Sequence, residues 1–219
     1  DGVEIEGRLA LPCAEVEQAW RGALAECPGR VEGAPCYTWS TCQAGYGIAG
    51  RAATMPFDSP REACGVFGIY APGEDVARLT FFGLYALQHR GQESAGIAAA
   101  DGHEIRLHTR MGLVNTAFSE EDLARLPGHI AIGHTRYSTT GGSRQVNAGP
   151  FVARAESGPV AVSHNGNLVN GENLRRELLE RGIPLTSTTD SEALTWMIAL
   201  AYGPDLASRV RQAMARFVG

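Results

Sequence analysis

The stretch that decides the fold is Cys64-Gly65-Val66-Phe67-Gly68-Ile69-Tyr70. Its apolar and aromatic residues favour a β-strand, and turn-forming pairs flank it at Ser59-Pro60 and Pro72-Gly73. We therefore predict a buried strand that begins with a thiol. Because a free cysteine most often packs as a small apolar side chain, a catalytic interpretation of Cys64 depends on motifs elsewhere in the chain.

Length and composition limit the functions that the chain can have. With 219 residues, of which 44% are hydrophobic, it can form a sizeable core in one domain, or in one domain with a tail. The formal net charge of −5 and the lack of basic runs argue against a nucleic-acid partner. The N-terminus is acidic, and the longest apolar run, 196–202, is too short to cross a bilayer. We expect a cytoplasmic protein with no nucleic-acid partner and no membrane partner.

The N-terminal segment differs in texture from the rest of the chain. Residues 1–54 contain scattered Gly, Pro and Cys and one short predicted helix at 14–25. Four of the five cysteines precede Cys64, and their spacing supports neither a zinc site nor a defined disulfide framework. None of the six histidines lies in a metal-binding motif. We predict a poorly structured extension at 1–63, a domain at 64–219 and no metal site in this chain.

From Cys64 onward, strand and helix patterns follow each other regularly. Strands are predicted at 64–70, 94–100, 105–109, 129–138, 151–154 and 160–163, with an Asp-Gly turn between the second and the third. Helices are predicted at 75–88, after a capping box at 119–122, at 173–181, at 189–202 and from 206 to the end. Helices that flank antiparallel strands predict an α+β sandwich.

Helical spacing also predicts which side chains of three helices face the core. In the helix at 173–181, which Gly182 ends, these are Leu174 and Leu178. In the first helix these are Val76, Leu79, Phe82, Gly83 and Leu87. In the last helix they are Leu206, Val210, Ala213, Met214 and Phe217.

Four further runs indicate the chemistry. They are His89-Arg90-Gly91-Gln92-Glu93-Ser94-Ala95-Gly96, Gly133-His134-Thr135-Arg136-Tyr137-Ser138-Thr139, His164-Asn165-Gly166-Asn167 and Thr189-Asp190-Ser191-Glu192. In this order after the Cys64 stretch, they resemble the N-terminal glutaminase domain of the amidophosphoribosyltransferases. That family belongs to the class II glutamine amidotransferases of the N-terminal-nucleophile hydrolase superfamily. The resemblance implies an αββα sandwich of antiparallel sheets, which the end of this chain would leave truncated.

The resemblance also implies how Cys64 would work. A thiol with a pKa of about 8.5 is mostly protonated at neutral pH and needs a base within reach. In N-terminal-nucleophile enzymes that base is the α-amino group of the nucleophile itself, with a pKa near 8, once the preceding peptide bond has been cut. Residues 1–63 would then be a propeptide removed autocatalytically, and the Cys64 thiolate would attack the side-chain amide of L-glutamine.

Attack on an amide creates an oxyanion, which needs hydrogen-bond donors at the position where the charge develops. By resemblance, the side-chain amide of Asn165 and the backbone N–H of Gly166 are those donors. On the dipeptide alone, Asn165-Gly166 is more simply a type I′ hairpin turn. Both interpretations can hold, because a tight turn would also present the Gly166 N–H.

Four residues are predicted to bind or cover the substrate. Arg136 would pair with the α-carboxylate of glutamine, and Asp190 would bind its ammonium group. Arg90 and Gly91 would lie on a loop that covers the site. The alternatives are a surface or ion-paired arginine on a strand, and an Asp190 that serves only the first turn of a helix.

The resemblance finally implies a larger reaction. Ammonia from glutamine would pass to a phosphoribosyltransferase domain, missing from this chain, which converts phosphoribosyl pyrophosphate to 5-phosphoribosylamine in the first step of de novo purine synthesis. That missing part would use Mg²⁺ and could carry a 4Fe-4S cluster, the chain itself would need no cofactor, and the complete protein would be a homo-oligomer. Two alternatives stay open: a class II glutaminase domain that serves a sugar-phosphate or 2-oxoglutarate acceptor, and an inactive unprocessed fragment.

Overall fold

The computed structural model describes residues 64–137 and 142–219. The predicted extension at 1–63, with its helix at 14–25, lies outside the described residues, and so does the stretch 138–141. The boundary between an extension and a domain therefore stays a prediction.

Four antiparallel strands form the larger sheet. They are β1 (Gly65–Tyr70), β2 (Ser94–Ala100), β3 (Ile105–Met111) and β4 (Ile130–Arg136), in the order β1-β4-β2-β3. Because β4 lies between β1 and β2, Thr135 is paired with Gly65 on one side and Ala95 on the other. The predicted strands and their antiparallel pairing are confirmed. Gly102, in the β2–β3 connection, has a φ of +89°, which fits the predicted Asp-Gly turn.

Helix α1 (Val76–Ala86) packs on one face of this sheet, against β1 and β4. A Cβ atom on Gly83 would lie 2.5 Å from the ring of Phe67, so only glycine permits this close approach. The helix is capped by Asp75, whose carboxylate accepts a hydrogen bond from the N–H of Arg78 at 3.0 Å.

The buried face of α1 differs from the predicted one. Val76, Thr80 and Leu84 are buried, whereas Phe82 is 59% exposed, so the prediction is wrong at Phe82. Thr80 can occupy the interface because its hydroxyl donates to the carbonyl of Val76 at 2.7 Å. Gly83 lets the helix lie so close to the sheet that the row 76, 80 and 84 faces it, which turns Phe82 outward.

Two short helices, α2 (Val114–Ala117) and α3 (Glu120–Ala124), follow β3. The predicted capping box at the start of α3 is confirmed: Ser119 Oγ accepts from the N–H of Asp122, and the Asp122 carboxylate accepts from the N–H of Ser119. These helices close the core beneath α1 through the buried side chains of Val114, Ala117 and Leu123.

The smaller sheet consists of β5 (Phe151–Ala155) and β6 (Gly158–Val162), which are antiparallel. It faces the larger sheet. A hydrogen bond joins the two layers: Ser163 Oγ, just after β6, donates to the carbonyl of Gly133 in β4 at 3.1 Å. A Cβ atom on Gly96 in β2 would collide with the backbone carbonyl of Gly149. Glycine therefore allows the two layers to approach closely here.

Three helices cover the other face of the smaller sheet. They are α4 (Gly171–Glu180), α5 (Asp190–Leu200) and α6 (Leu206–Met214). α5 packs on both strands, and α4 and α6 pack against α5. Leu174 and Leu178 of α4 are buried as predicted. The layers are therefore helix, sheet, sheet and helix, which confirms the predicted α+β fold.

Helix α6 turns a charged side chain inward in place of the predicted Met214. Met214 is 61% exposed, so that prediction is wrong, whereas Arg209 is 1% exposed. The guanidinium of Arg209 donates to the carbonyls of Ile198 and Ala199 at the end of α5, at 3.2 and 2.8 Å. Carbonyls in the last turn of a helix lack hydrogen-bond donors within that helix, and the guanidinium of Arg209 provides donors to two of them in α5.

The described part of the chain has no helix that is long and apolar enough to cross a membrane. Its longest helices, α1 and α5, have 11 residues each, whereas a bilayer needs about 20. Within the same residues, no group of three or more His, Cys, Asp or Glu side chains is arranged to hold a metal ion.

Candidate functional site

Cys64 lies immediately before β1 and carries a free, partly exposed thiol. Its Sγ is 3.6 Å from the carbonyl oxygen of Tyr137, which follows β4. The carbonyl of Cys64 accepts a hydrogen bond from Nε of Arg90 at 3.4 Å. The antiparallel pairing of β1 with β4 therefore brings Cys64 beside the end of β4, where Arg136 lies.

Thr135, for which the sequence predicted no role, anchors the start of β1. Thr135 is completely buried, and its Oγ1 accepts a hydrogen bond from the N–H of Gly65 at 3.2 Å. A Cβ atom on Gly65 would lie 2.5 Å from the same oxygen. The contact fixes the backbone directly after Cys64, and the alternation of β4 places Thr135 and Arg136 on opposite faces of the sheet.

Arg136 is an interior residue and not a surface one. It is 4% exposed, and its Nη1 lies 3.0 Å from Oε1 of Glu93 and 3.3 Å from the carbonyl of Gly142. Of the two alternatives for this residue, the surface position is excluded and the ion pair is present. The sequence predicted no role for Glu93. This residue directly precedes Ser94, and Ser94 pairs with Arg136 across the strands.

The predicted loop with Arg90 and Gly91 is a short, anchored segment. Arg90 ends a 3₁₀ turn (Gln88–Arg90), and Gly91 is buried. A Cβ atom on Gly91 would lie 2.7 Å from the backbone of Thr135 and Arg136, so the segment crosses β4 closely. The side chain of Gln88 tethers the turn, since its Nε2 donates to the carbonyl of Gly91 at 2.5 Å.

Asn165 and Gly166 lie between β6 and α4, and both are exposed. A type I′ turn needs a positive φ at both central positions, but Gly166 is not among the described glycines with positive φ. The segment also leads into a helix and not into a strand. The hairpin interpretation is therefore wrong, and the backbone N–H of Gly166 lies at an open bend.

Asp190 is the first residue of α5, after the N-cap Thr189. Its Oδ2 accepts a hydrogen bond from the N–H of Leu168 at 2.7 Å, which ties α5 to the segment that carries Asn165 and Gly166. The position in the first turn agrees with the simpler interpretation of Asp190, and the carboxylate remains partly exposed.

Glu192 is a buried acid, with no role predicted from the sequence, that fixes the segment preceding Asp190. Glu192 is 6% exposed, and its carboxylate accepts hydrogen bonds from the backbone and hydroxyl groups of both Thr186 and Ser187, at 2.7 to 2.9 Å. Arg175 of α4 lies 3.8 Å from the same carboxylate. In the sequence, the signal for Glu192 was its position three residues after the predicted N-cap Thr189, where an acid commonly completes a capping box.

His134, in β4, is the other buried group without a predicted role. It is 5% exposed, and neither ring nitrogen has a hydrogen-bond partner among residues 64–137 and 142–219. Burial, with smaller contributions from the charges of Arg136 and His164, lowers the pKa of His134 to about 4. The imidazole is therefore neutral at physiological pH.

The predicted site residues form two groups. Cys64, Arg90, Gly91 and Arg136 meet through direct contacts around the ends of β1 and β4. Asn165, Gly166 and Asp190 belong to the segments that flank α4. In the described part of the chain, the groups are joined by the Ser163 hydrogen bond to β4 and by a bridge from Gly142 to Thr188 through the side chain of Asn147. The roles that the sequence analysis assigned to these residues stay predictions.

Comparison with known proteins gives consistent results. A family model described as a glutamine amidotransferase domain matches residues 134–217. The chain is 56% identical over 164 residues to the amidophosphoribosyltransferase of Synechococcus elongatus, covering 74% of this chain and 33% of that protein. It is 45% identical over 159 residues to the amidophosphoribosyltransferase of Methanocaldococcus jannaschii, covering 71% and 34%. The chain thus spans about a third of the length of these curated relatives.

Two solved structures resemble the fold. The glutamine phosphoribosylpyrophosphate amidotransferase from B. subtilis, complexed with ADP and GMP, has a TM-score of 0.62 and 35% identity, and the match covers 70% of this chain and 33% of that one. A structure described as the allosteric regulatory enzyme of purine biosynthesis has a TM-score of 0.63 and 37% identity, with 69% and 33% covered. These likenesses confirm the predicted N-terminal-nucleophile hydrolase sandwich.

Proposed function

We propose that this chain, which carries a glutamine amidotransferase domain related to that of the amidophosphoribosyltransferases, hydrolyses L-glutamine at Cys64. The ammonia would be used to make 5-phosphoribosylamine from phosphoribosyl pyrophosphate, the first step of de novo purine synthesis. One observation carries the proposal: the partly exposed thiol of Cys64 lies at the start of β1, beside the end of β4 that bears the buried Arg136.

The chemistry at Cys64 needs a free α-amino group. Removal of residues 1–63 would expose it, and that amine would accept the thiol proton. The thiolate then attacks the side-chain carbonyl carbon of glutamine, the C–N bond breaks, and the nitrogen leaves as ammonia with the proton returned by the amine. Water cleaves the resulting thioester to give glutamate and restore the thiol. In this proposal residues 1–63 are a propeptide and 64–219 belong to the glutaminase domain.

The oxyanion of this reaction would be stabilised by Asn165 and Gly166. Their exposure and the open bend at Gly166 support this role, because the two donors are accessible to a substrate that approaches from solvent. Arg90 would assist indirectly, since its guanidinium holds the carbonyl of Cys64.

The two charged groups on the α-carbon of glutamine would be recognised by Arg136 and Asp190. The pair with Glu93 keeps the Arg136 guanidinium in one orientation, which suits a directional contact with a carboxylate. The hydrogen bond from Leu168 fixes Asp190 in a similar way. Gly91 contributes by allowing the close crossing of β4 that positions Arg136.

The transfer of ammonia to phosphoribosyl pyrophosphate would be carried out by the part of the relatives that this chain does not match. The relatives are about three times as long as the matched part, and their identity as amidophosphoribosyltransferases supports phosphoribosyl pyrophosphate over a sugar phosphate or 2-oxoglutarate as the final acceptor. We propose that Mg²⁺, a possible 4Fe-4S cluster and the homo-oligomer contacts belong to that additional part. The cytoplasmic location stays a prediction.

The intact mass of the purified chain tests this proposal, with the wild type beside Cys64→Ala and a glutaminase assay on both. We expect the wild type alone to lose everything before Cys64 and to release ammonia from glutamine. If Cys64→Ala hydrolyses glutamine as fast as the wild type, the central assignment is wrong. If both proteins keep the extension and neither is active, the chain is an inactive precursor.

A further inference from the structure

We propose that Asn147 is a positioning residue that holds the two glutamine-binding segments at a fixed separation. This inference rests on the proposed function, because it concerns how the α-carboxylate and α-ammonium groups of glutamine are recognised together. Asn147 ends a 3₁₀ turn (Gln145–Asn147) and is completely buried. It belongs to none of the motifs that the sequence analysis singled out.

The side chain of Asn147 bridges two segments that are far apart in the chain. Its Nδ2 donates to the carbonyl of Gly142 at 2.7 Å and to Oγ1 of Thr188 at 3.0 Å. Its Oδ1 accepts from the backbone N–H of Thr188 at 2.9 Å. Both amide protons and the oxygen are thus used, and only a side-chain amide of this length offers this set of donors and acceptors.

Each bridged segment leads to one predicted glutamine-binding group. The carbonyl of Gly142 also accepts a hydrogen bond from Nη1 of Arg136 at 3.3 Å, so Asn147 and the carboxylate-binding arginine share one partner. Thr188 precedes Asp190 by two residues. Asn147 therefore connects the residue expected to bind the carboxylate with the residue expected to bind the ammonium group.

The substrate explains why such a connection would matter. The carboxylate and ammonium groups of glutamine are attached to one carbon atom, so the groups that recognise them must keep a nearly constant distance. Arg136 belongs to the larger sheet and Asp190 to the helix layer of the smaller sheet. A buried amide that bonds to both sides limits their relative motion, which improves binding of a substrate that contacts both.

A merely structural role for Asn147 would give a different result from a positioning role. Loss of a structural hydrogen bond lowers stability but leaves the folded molecules with a normal affinity for glutamine. Loss of a positioning contact raises KM while kcat changes little, because Cys64, Asn165 and Gly166 are not touched. Gln145 is the matched control: it lies in the same turn and makes its hydrogen bonds to Thr109 and Met111 of β3.

The test compares the full wild-type chain with Asn147→Ala, Asn147→Asp and Gln145→Ala. For each we would measure kcat and KM for glutamine, the Kd for the product glutamate, and the unfolding temperature. We expect KM and Kd to rise about tenfold in both Asn147 variants, a change that corresponds to roughly 1.4 kcal/mol of binding, with kcat within about threefold. Gln145→Ala should keep KM within about twofold of the wild type, although it loses three hydrogen bonds.

Three outcomes would overturn the inference or separate it from the proposed function. A folded Asn147→Ala with a wild-type KM and Kd would overturn it. If that variant does not fold, Asn147→Asp decides: it loses both amide donations, including the one to the carbonyl of Gly142, and an unchanged KM would again overturn the inference. A wild-type chain that is correctly processed but does not hydrolyse glutamine would refute the proposed function itself, and this inference with it.

Discussion

The two groups of the candidate site are held by different kinds of structure. Cys64 and Arg136 sit at the ends of paired strands, where the register of β1 and β4 fixes their backbone and an ion pair with Glu93 fixes the arginine. Asn165 and Asp190 lie on segments around α4, and these are fixed by side-chain hydrogen bonds to backbone groups. The first group is largely buried and the second largely exposed. Substitutions at the buried Arg136 should therefore lower stability as well as activity, whereas substitutions in the second group should affect mainly turnover or affinity.

The largest effect on stability is expected for Arg136→Met. It leaves the carboxylate of Glu93, whose side chain is 14% exposed, without its partner, and breaking a buried ion pair on one side costs about 3 to 5 kcal/mol of unfolding free energy. Urea denaturation followed by circular dichroism measures the change. The double variant Glu93→Gln with Arg136→Met is the control, because it removes the unpaired charge and should recover part of the loss. A single variant as stable as the wild type would contradict the contrast between the two groups.

Asn165→Ala should act on turnover with little effect on stability. Loss of one oxyanion donor lowers kcat by about 10²- to 10³-fold, and the side chain is exposed, so the unfolding free energy should barely change. Steady-state glutaminase kinetics and a thermal melt on the same sample measure both. Asn167→Ala, at another exposed asparagine in the same segment, is the control and should keep its kcat. An unchanged kcat with a raised KM would mean that Asn165 binds substrate and is not an oxyanion donor.

The smallest expected effect is the pH dependence contributed by His134. Its pKa falls from an ordinary value near 6.5 to about 4 on folding, so between these values the unfolded chain binds the proton and the folded chain does not. This contribution to stability is complete above pH 6.5 and is lost as the pH falls towards 4, with a slope of at most about 1.4 kcal/mol per pH unit.

Urea denaturation at a series of pH values between 7 and 4 checks this expectation, with His134→Gln and the exposed His89→Gln compared with the wild type. His134→Gln should have a flatter profile, whereas His89→Gln should follow the wild type. If all three profiles have the same slope, the buried imidazole of His134 does not control acid stability.

Much of the fold could be predicted because it depends on local patterns. Apolar, strand-forming runs predicted the strands, and the Asp-Gly turn, the capping box at Ser119 and Gly182 at the end of α4 marked element ends that the structure confirms. The predicted faces were wrong at Phe82 and Met214. Periodicity predicts that a helix has an apolar face, but not how that face is oriented. In α1 the orientation depends on the close contact at Gly83, and in α6 it depends on the hydrogen bond that Arg209 donates to the end of α5.

The sequence by itself determined the order of the elements and the α+β class, and it proposed a set of residues for the chemistry, since these depend on residue type and on neighbours within a few positions. Only the tertiary structure decided that Glu93 pairs with Arg136, that Gly166 lies at an open bend, and that Asn147 joins Gly142 to Thr188. The physical reason for the two pairings is that Glu93 and Arg136 are 43 positions apart in the chain, and Asn147 and Thr188 are 41 positions apart. Such pairings depend on strand register and on the packing of two sheets, and no local pattern in the sequence specifies them.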